Sequence, residues 1–70
     1  MHALPTLSLG AITIRRAIFA RLQRGPHSAV SLAVLIEVDL RVIQALLDRL
    51  VVESRIVQDG TLYQFPPLAA

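Results

Sequence analysis

The chain lacks cysteine, tryptophan and lysine, and its aromatic residues are one tyrosine and two phenylalanines. Without cysteine, neither a disulfide framework nor a thiolate metal site can add stability. At 70 residues, the chain has room for one domain with one modest core, because small domains bury a smaller share of their surface than large ones. The absence of cysteine also fits a reducing compartment, so we expect a cytoplasmic protein.

Long hydrophobic runs are also missing, and we expect no secretory leader. The longest stretch of low polarity, residues 29–36, ends at Glu37 and is much shorter than the roughly 20 residues that span a bilayer. Arg15 and Arg16 follow the apolar residues of the N-terminus instead of preceding them, which is the reverse order of a secretory signal. We therefore expect no membrane partner.

Neither sign of charge strongly predominates. Seven basic residues, all arginine, oppose five acids and give a formal net charge of +2, so charge alone does not identify a nucleic-acid-binding protein. Apolar residues make up 54% of the chain. Because so small a domain cannot bury them all, some are expected to stay exposed or to contact a partner.

Patterns that carry catalysis or bind cofactors are absent from the sequence. The three glycines lie too far apart to form a phosphate-binding loop. His2 and His27 have no neighbouring cluster of carboxylates, and Ser28 and Ser31 have no histidine or lysine at a spacing that indicates an activated nucleophile. We therefore expect no enzyme, no metal and no cofactor.

The N-terminal half begins with a segment of no clear period and continues with a helix. Residues 1–12 are interpreted as an N-terminal arm. A first helix is predicted over residues 14–24, with Thr13 as its N-cap and with Gly25-Pro26 ending it. Its apolar face consists of Ile14, Ile18 and Leu22.

Two further helices are predicted, each preceded by a residue that is favourable as an N-cap. Ser28 caps a helix over residues 29–36, and Asp39 caps a longer helix that runs to about Ser54. The apolar residues expected to face the core are Leu32, Ala33 and Ile36 in the second helix, and Ile43, Leu46, Leu47 and Leu50 in the third.

In the C-terminal part the spacing of the apolar residues changes to a period of two, which predicts a β-hairpin. Asp59-Gly60 between two such runs favours a type I′ turn, which requires positive φ at both central residues. The expected cross-strand pairs are Val57 with Leu62 and Ile56 with Tyr63. The residues expected on the core side are Ile56, Tyr63 and Phe65, and Pro66-Pro67 ends the second strand.

Several segments carry a resemblance to a known family. They are residues 17–22 (AIFARL), 28–33 (SAVSLA), 46–50 (LLDRL) and 55–57 (RIV), followed by the Asp-Gly hairpin. In their order and in their amino-acid sequence they resemble the winged helix-turn-helix domains of small bacterial transcription regulators, over about two thirds of the chain. The resemblance implies an α+β, mostly α fold: a three-helix winged helix-turn-helix with a C-terminal β-hairpin wing. The arm would occupy 1–12, the domain 13–67 and a short tail 68–70.

The resemblance also implies a site. In this family the third helix enters the major groove of double-stranded DNA, and the wing touches the backbone or the minor groove. By position, the residues expected to contact DNA are Arg41, Gln44, Ala45, Arg49 and Thr61. Arg41 and Gln44 can make bidentate contacts to guanine and adenine, and Ala45 can touch a thymine methyl group. The implied function is transcription regulation, with two copies pairing as a dimer.

Some positions depart from the family pattern. Asp48 puts a negative charge on the third helix, and the predicted wing tip, residues 58–61, contains Asp59 but no basic residue. Glu37 stands in the turn where the family often has glycine.

An alternative interpretation is a module that binds a protein of the transcription machinery or of another nucleic-acid machine. The contact surface would be the apolar face of the second and third helices, and the N-terminal arm could pair two copies of the chain. The residues expected at these interfaces are Leu7, Leu9, Val30, Val34, Leu40 and Val42. DNA remains the preferred partner because of the family resemblance.

Overall fold

Three helices precede a β-hairpin in the order that the sequence predicts. The structure, a computed structural model, describes the backbone of residues 6–67 and the side chains of residues 10–67. The elements are helix α1 (Thr6–Leu22), strand β1 (His27–Ser28), helix α2 (Ala29–Ile36), helix α3 (Leu40–Val52), strand β2 (Val57–Asp59) and strand β3 (Leu62–Gln64). The strands form one antiparallel sheet in the order β1-β3-β2. The predicted α+β fold, a three-helix winged helix-turn-helix arrangement with a C-terminal hairpin, is therefore confirmed.

The core lies between the three helices and the hairpin. The apolar faces predicted from the helical period converge there, because each helix can bury only the side that faces its neighbours. The buried hydrophobic residues are Ile18, Leu22, Ala29, Leu32, Ile43, Leu47, Leu50, Ile56 and Tyr63. The partly buried residues packed against them include Ala33, Ile36, Leu46 and Phe65. The predicted core faces are confirmed.

Helix α1 begins earlier than predicted. The expected helix over residues 14–24 is wrong at both ends, since α1 spans Thr6–Leu22, and residues 6–12 of the predicted arm are helical. Extending an existing helix needs no new nucleation, so these residues join it despite the low helix propensity of Gly10. None of the helices among the described residues is long and apolar enough to cross a membrane.

Local capping determines the bounds of α2 and the start of α3. Ser28 Oγ accepts a hydrogen bond from the Ser31 N–H (3.0 Å), which satisfies one of the free donors at the start of the helix. At its other end, Glu37 adopts the left-handed conformation (φ 62°, ψ 48°), and the Val38 N–H donates to Ala33 O (3.1 Å). The turn after α2 thus has a left-handed backbone conformation, which favours glycine, although the residue there is glutamate.

We expect Glu37→Gly to raise the free energy of unfolding by about 0.5–1 kcal/mol. The left-handed conformation costs a residue with a Cβ roughly 1–2 kcal/mol, and the greater freedom of glycine in the unfolded chain offsets part of this gain. Urea denaturation followed by circular dichroism measures the change. Glu37→Ala is the control, because it removes the carboxylate and keeps the strain. An equal increase in the free energy of unfolding of both variants would show that the effect comes from removing the charge at the end of α2.

The hairpin register differs from the predicted one. The expected pairs are wrong, since the structure pairs Val57 with Gln64, Gln58 with Tyr63 and Asp59 with Leu62. The two-residue turn is therefore Gly60-Thr61, and within it only Gly60 has positive φ (67°), so the predicted type I′ turn is also wrong. This placement leaves the left-handed region to glycine alone. The change of register leaves each side chain on the face of the hairpin that was predicted for it. Ile56 and Tyr63 are accordingly buried.

Strand β1 is absent from the sequence-based prediction, because two residues show no periodicity. His27 pairs with Tyr63 and Ser28 with Leu62, so β3 is the central strand of the sheet. This pairing holds the hairpin against the start of α2. At the other end of the hairpin, the Phe65 ring stacks on Phe19 of α1, with ring centroids 5.8 Å apart.

Candidate nucleic-acid interface

Helix α3 turns one face to the core and the opposite face to solvent. Asp39 Oδ1 accepts a hydrogen bond from the Arg41 backbone N–H (2.7 Å) and so caps the helix. Ile43, Leu47 and Leu50 are buried, and a period of 3.6 residues separates them from the solvent side. The outer face of α3 consists of Arg41, Ala45, Asp48 and Val52, which are all exposed.

A cleft of about 270 Å³ lies beside this outer face. It is lined by residues of α2, α3 and the hairpin together with the cap of α2: Ser28, Ala29, Val30, Gln44, Gln58, Gly60, Thr61 and Tyr63. Of the residues predicted to contact DNA, the structure brings Gln44 and Thr61 to the cleft. Arg41 and Ala45 lie on the outer face, and Arg49 is exposed in the second half of α3. The predicted residues therefore divide between a helix face and a cleft.

Gln44 is held by contacts within the protein. Its Nε2 donates to the Tyr63 hydroxyl (2.9 Å) and to Asp48 Oδ1 (3.1 Å). An ionised carboxylate only accepts hydrogen bonds, so the amide nitrogen and not the amide oxygen faces Asp48. A bidentate contact to adenine needs an amide hydrogen of glutamine, and here both hydrogens are already used.

Tyr63, which the sequence pattern predicts only as a core residue, also belongs to the site. The residue is 3% exposed, yet its hydroxyl accepts the hydrogen bond from Gln44, which precedes it by 19 residues. A signal was available, because a buried tyrosine hydroxyl usually requires a hydrogen-bond partner. The sequence pattern does not show which polar residue of α3 supplies it.

The arginines near α3 differ in their partners. Glu53 Oε1 lies 3.6 Å from Arg15 Nη2 and 3.3 Å from Arg55 Nε, so its charge is shared between two cations. Arg41 and Arg49 form no ion pair with any of the described residues. Their guanidinium groups are therefore free to contact a ligand.

The exposed charged residues of α3, of its N-cap and of the hairpin carry no net positive charge. Arg41 and Arg49 are opposed by Asp39, Asp48 and Asp59. Binding of a polyanion here would depend on placed contacts more than on long-range attraction. The remaining basic residues are Arg15, Arg16, Arg21 and Arg24 on or at the end of α1, and Arg55 after α3.

One expectation about reactive groups needs correction. His27 Nδ1 lies 3.3 Å from Ser31 Oγ, so a histidine does reach one of the two serines. This distance is long for a hydrogen bond of a hydroxyl group. Among the described residues, no three side chains of His, Cys, Asp or Glu come together as metal ligands.

The chain matches no family model, no curated protein and no solved structure. A proposal about its function therefore rests on what the exposed side chains can contact.

The residues predicted for a protein interface are exposed where the structure describes them. Val30 and Val34 occupy successive turns of α2 and are 59% and 69% exposed. Leu40 and Val42 in the first turn of α3 are exposed to a lesser degree. We refer to these four residues as the apolar patch. The side chains of Leu7 and Leu9 lie outside the described residues.

Proposed function

We propose that this chain is a small DNA-binding protein, a transcription regulator of the bacterial cytoplasm, that places α3 in the major groove of double-stranded DNA. One observation carries the proposal: the solvent-facing side of α3 presents Arg41 and Arg49, and neither forms an ion pair among the described residues. The major groove is wide enough to admit an α-helix. The hairpin is linked to α3 by the hydrogen bond between Gln44 and Tyr63, and its proposed role is to contact the DNA backbone beside the groove.

The proposed roles follow from position and chemistry. Arg41 lies in the first turn of α3, the part of a reading helix that reaches base edges, and its guanidinium can pair with the O6 and N7 of guanine. Ala45, one turn later, offers a methyl group to thymine. Arg49 and Thr61 supply donors for phosphate oxygens.

Dimerisation is part of this proposal. One copy brings few unpaired cations to the DNA, and the acids on the same face reduce their effect. Two copies on two half-sites would double the phosphate contacts and the number of bases read. A monomer, with half the phosphate contacts, is expected to bind more weakly than the dimer and with a smaller dependence on salt.

An amide chemical-shift titration with mixed-sequence duplex DNA tests the proposal. At about 50 mM salt we expect shifts along Arg41 to Arg49 and in the hairpin turn. Raising the salt fourfold should weaken binding by roughly 40-fold if about three phosphates are contacted. Shifts confined to α1, or an unchanged α3 at low salt, would refute this placement of the DNA.

The exposed apolar patch favours a second candidate function. A chain that leaves Val30 and Val34 open on one helix face can bury them against an apolar surface of a protein. The partner would be a component of the transcription machinery or of another nucleic-acid machine. This association should change little with salt, because burial of apolar area is not screened by ions.

A further inference from the structure

The hairpin and α3 are joined by a single side-chain hydrogen bond among the described residues. Strand β3 pairs with β1 and β2 on its two edges, and these ladders connect the hairpin to the start of α2. The direct polar link to α3 is the bond from Gln44 Nε2 to the Tyr63 hydroxyl (2.9 Å). It is partly buried, so water competes with it less than at an open surface.

The second bond of Gln44 links the same amide to the outer face. Its Nε2 donates to Asp48 Oδ1 (3.1 Å) one turn further along α3, the spacing at which side chains of a helix meet. The amide group therefore bridges the acid of the outer face and the buried hydroxyl of the central strand. Its orientation is determined, because reversing it would place the amide oxygen against a carboxylate.

We infer that Gln44 is a positioning residue, which fixes the hairpin relative to α3 through Tyr63 and does not read a base. The part of this inference that concerns DNA rests on the proposed function. Both amide hydrogens of Gln44 are in use, so Arg41 is the residue that makes directional contacts to a base. The bases recognised are then guanine, through Arg41, and thymine, through the methyl group of Ala45. Adenine is not read through its N6 and N7 by Gln44.

The first test measures the hairpin in the free protein, with no DNA present. Tyr63→Phe removes the hydroxyl and keeps the ring in the core, and Gln44→Ala removes the amide. Each variant should speed amide hydrogen exchange in β2 and β3 by roughly fivefold, the factor that corresponds to a neutral hydrogen bond. The double variant should exchange no faster than Gln44→Ala alone, because both changes break one interaction. Gln58→Ala is the control for the loss of a side-chain hydrogen bond that does not reach α3. The Gln58 side chain donates to Gly60 O within the hairpin turn.

Unchanged exchange in both single variants, or effects that simply add in the double variant, would overturn the positioning role. This result does not depend on DNA binding. A wild-type protein that fails to bind any duplex at low salt would refute the proposed function and leave the exchange result standing.

The second test measures base preference by selection from randomised duplexes. We expect Gln44→Ala to lower affinity by the same factor for every sequence, since the hairpin is displaced, and to leave base preference unchanged. Arg41→Ala is the contrasting variant and should relax preference at one base pair. If Gln44→Ala relaxes preference at one position and leaves hairpin exchange unchanged, Gln44 is a base reader and the inference is wrong.

Discussion

Leu47→Ala is expected to lower the free energy of unfolding by about 2–5 kcal/mol, the range observed when a large aliphatic side chain is removed from a core. The Leu47 side chain is fully buried in the middle of α3. A domain of this length has a total stability of only about 4–10 kcal/mol. The variant should therefore lose a large share of its stability and unfold at a clearly lower urea concentration than the wild type.

Urea denaturation monitored by circular dichroism measures this loss. Val52→Ala is the matched control, because it removes apolar atoms from the same helix at a side chain that is 83% exposed. Its effect should stay within about 0.5 kcal/mol. Similar denaturation midpoints for the two variants would contradict the position of the core.

Arg41→Ala is expected to weaken DNA binding by roughly 10- to 100-fold. The loss of a bidentate contact to guanine costs about 1–3 kcal/mol, and the Arg41 guanidinium has no ion pair among the described residues to keep it from the DNA. Fluorescence anisotropy with a labelled duplex at low salt measures the change. Arg41 is exposed at the start of α3, so the fold should be unaffected.

Two control variants separate this contact from general charge and from the apolar patch. Arg16→Ala removes the same charge from an exposed position on α1 and should weaken binding only a few-fold. Val34→Glu should leave DNA affinity nearly unchanged and abolish binding of any protein partner at the patch. If Arg16→Ala and Arg41→Ala weaken binding equally, the protein binds DNA through its overall charge. If Val34→Glu abolishes DNA binding and leaves fold and oligomeric state unchanged, α2 belongs to the DNA interface.

Much of the fold was predictable because its signals are local. The start of α2 follows from the Ser28 cap, and the start of α3 follows from the Asp39 cap. The 3.6-residue period identifies the buried side of each helix. Where two local signals compete, prediction fails: the capping preference of Thr13 is outweighed by propagation of α1 from Thr6.

The candidate site was predictable in its exposed residues and not in its contacts. Period and capping place Arg41 and Ala45 on the outer face of α3, and the structure agrees. The same reasoning treats Gln44 as a free side chain. Its partner Tyr63 lies on another element, and no regular spacing joins the two.

The sequence by itself therefore determined the number of helices, their core faces, two N-caps and the presence of a hairpin. All of these depend on residues within a few positions of one another, whose preferences act before the chain is packed. Only the tertiary structure decided strand β1, the hairpin register and the bond between Gln44 and Tyr63. These features depend on which surfaces meet in the packed domain, and that choice minimises unpaired backbone and buried polar groups over the whole chain.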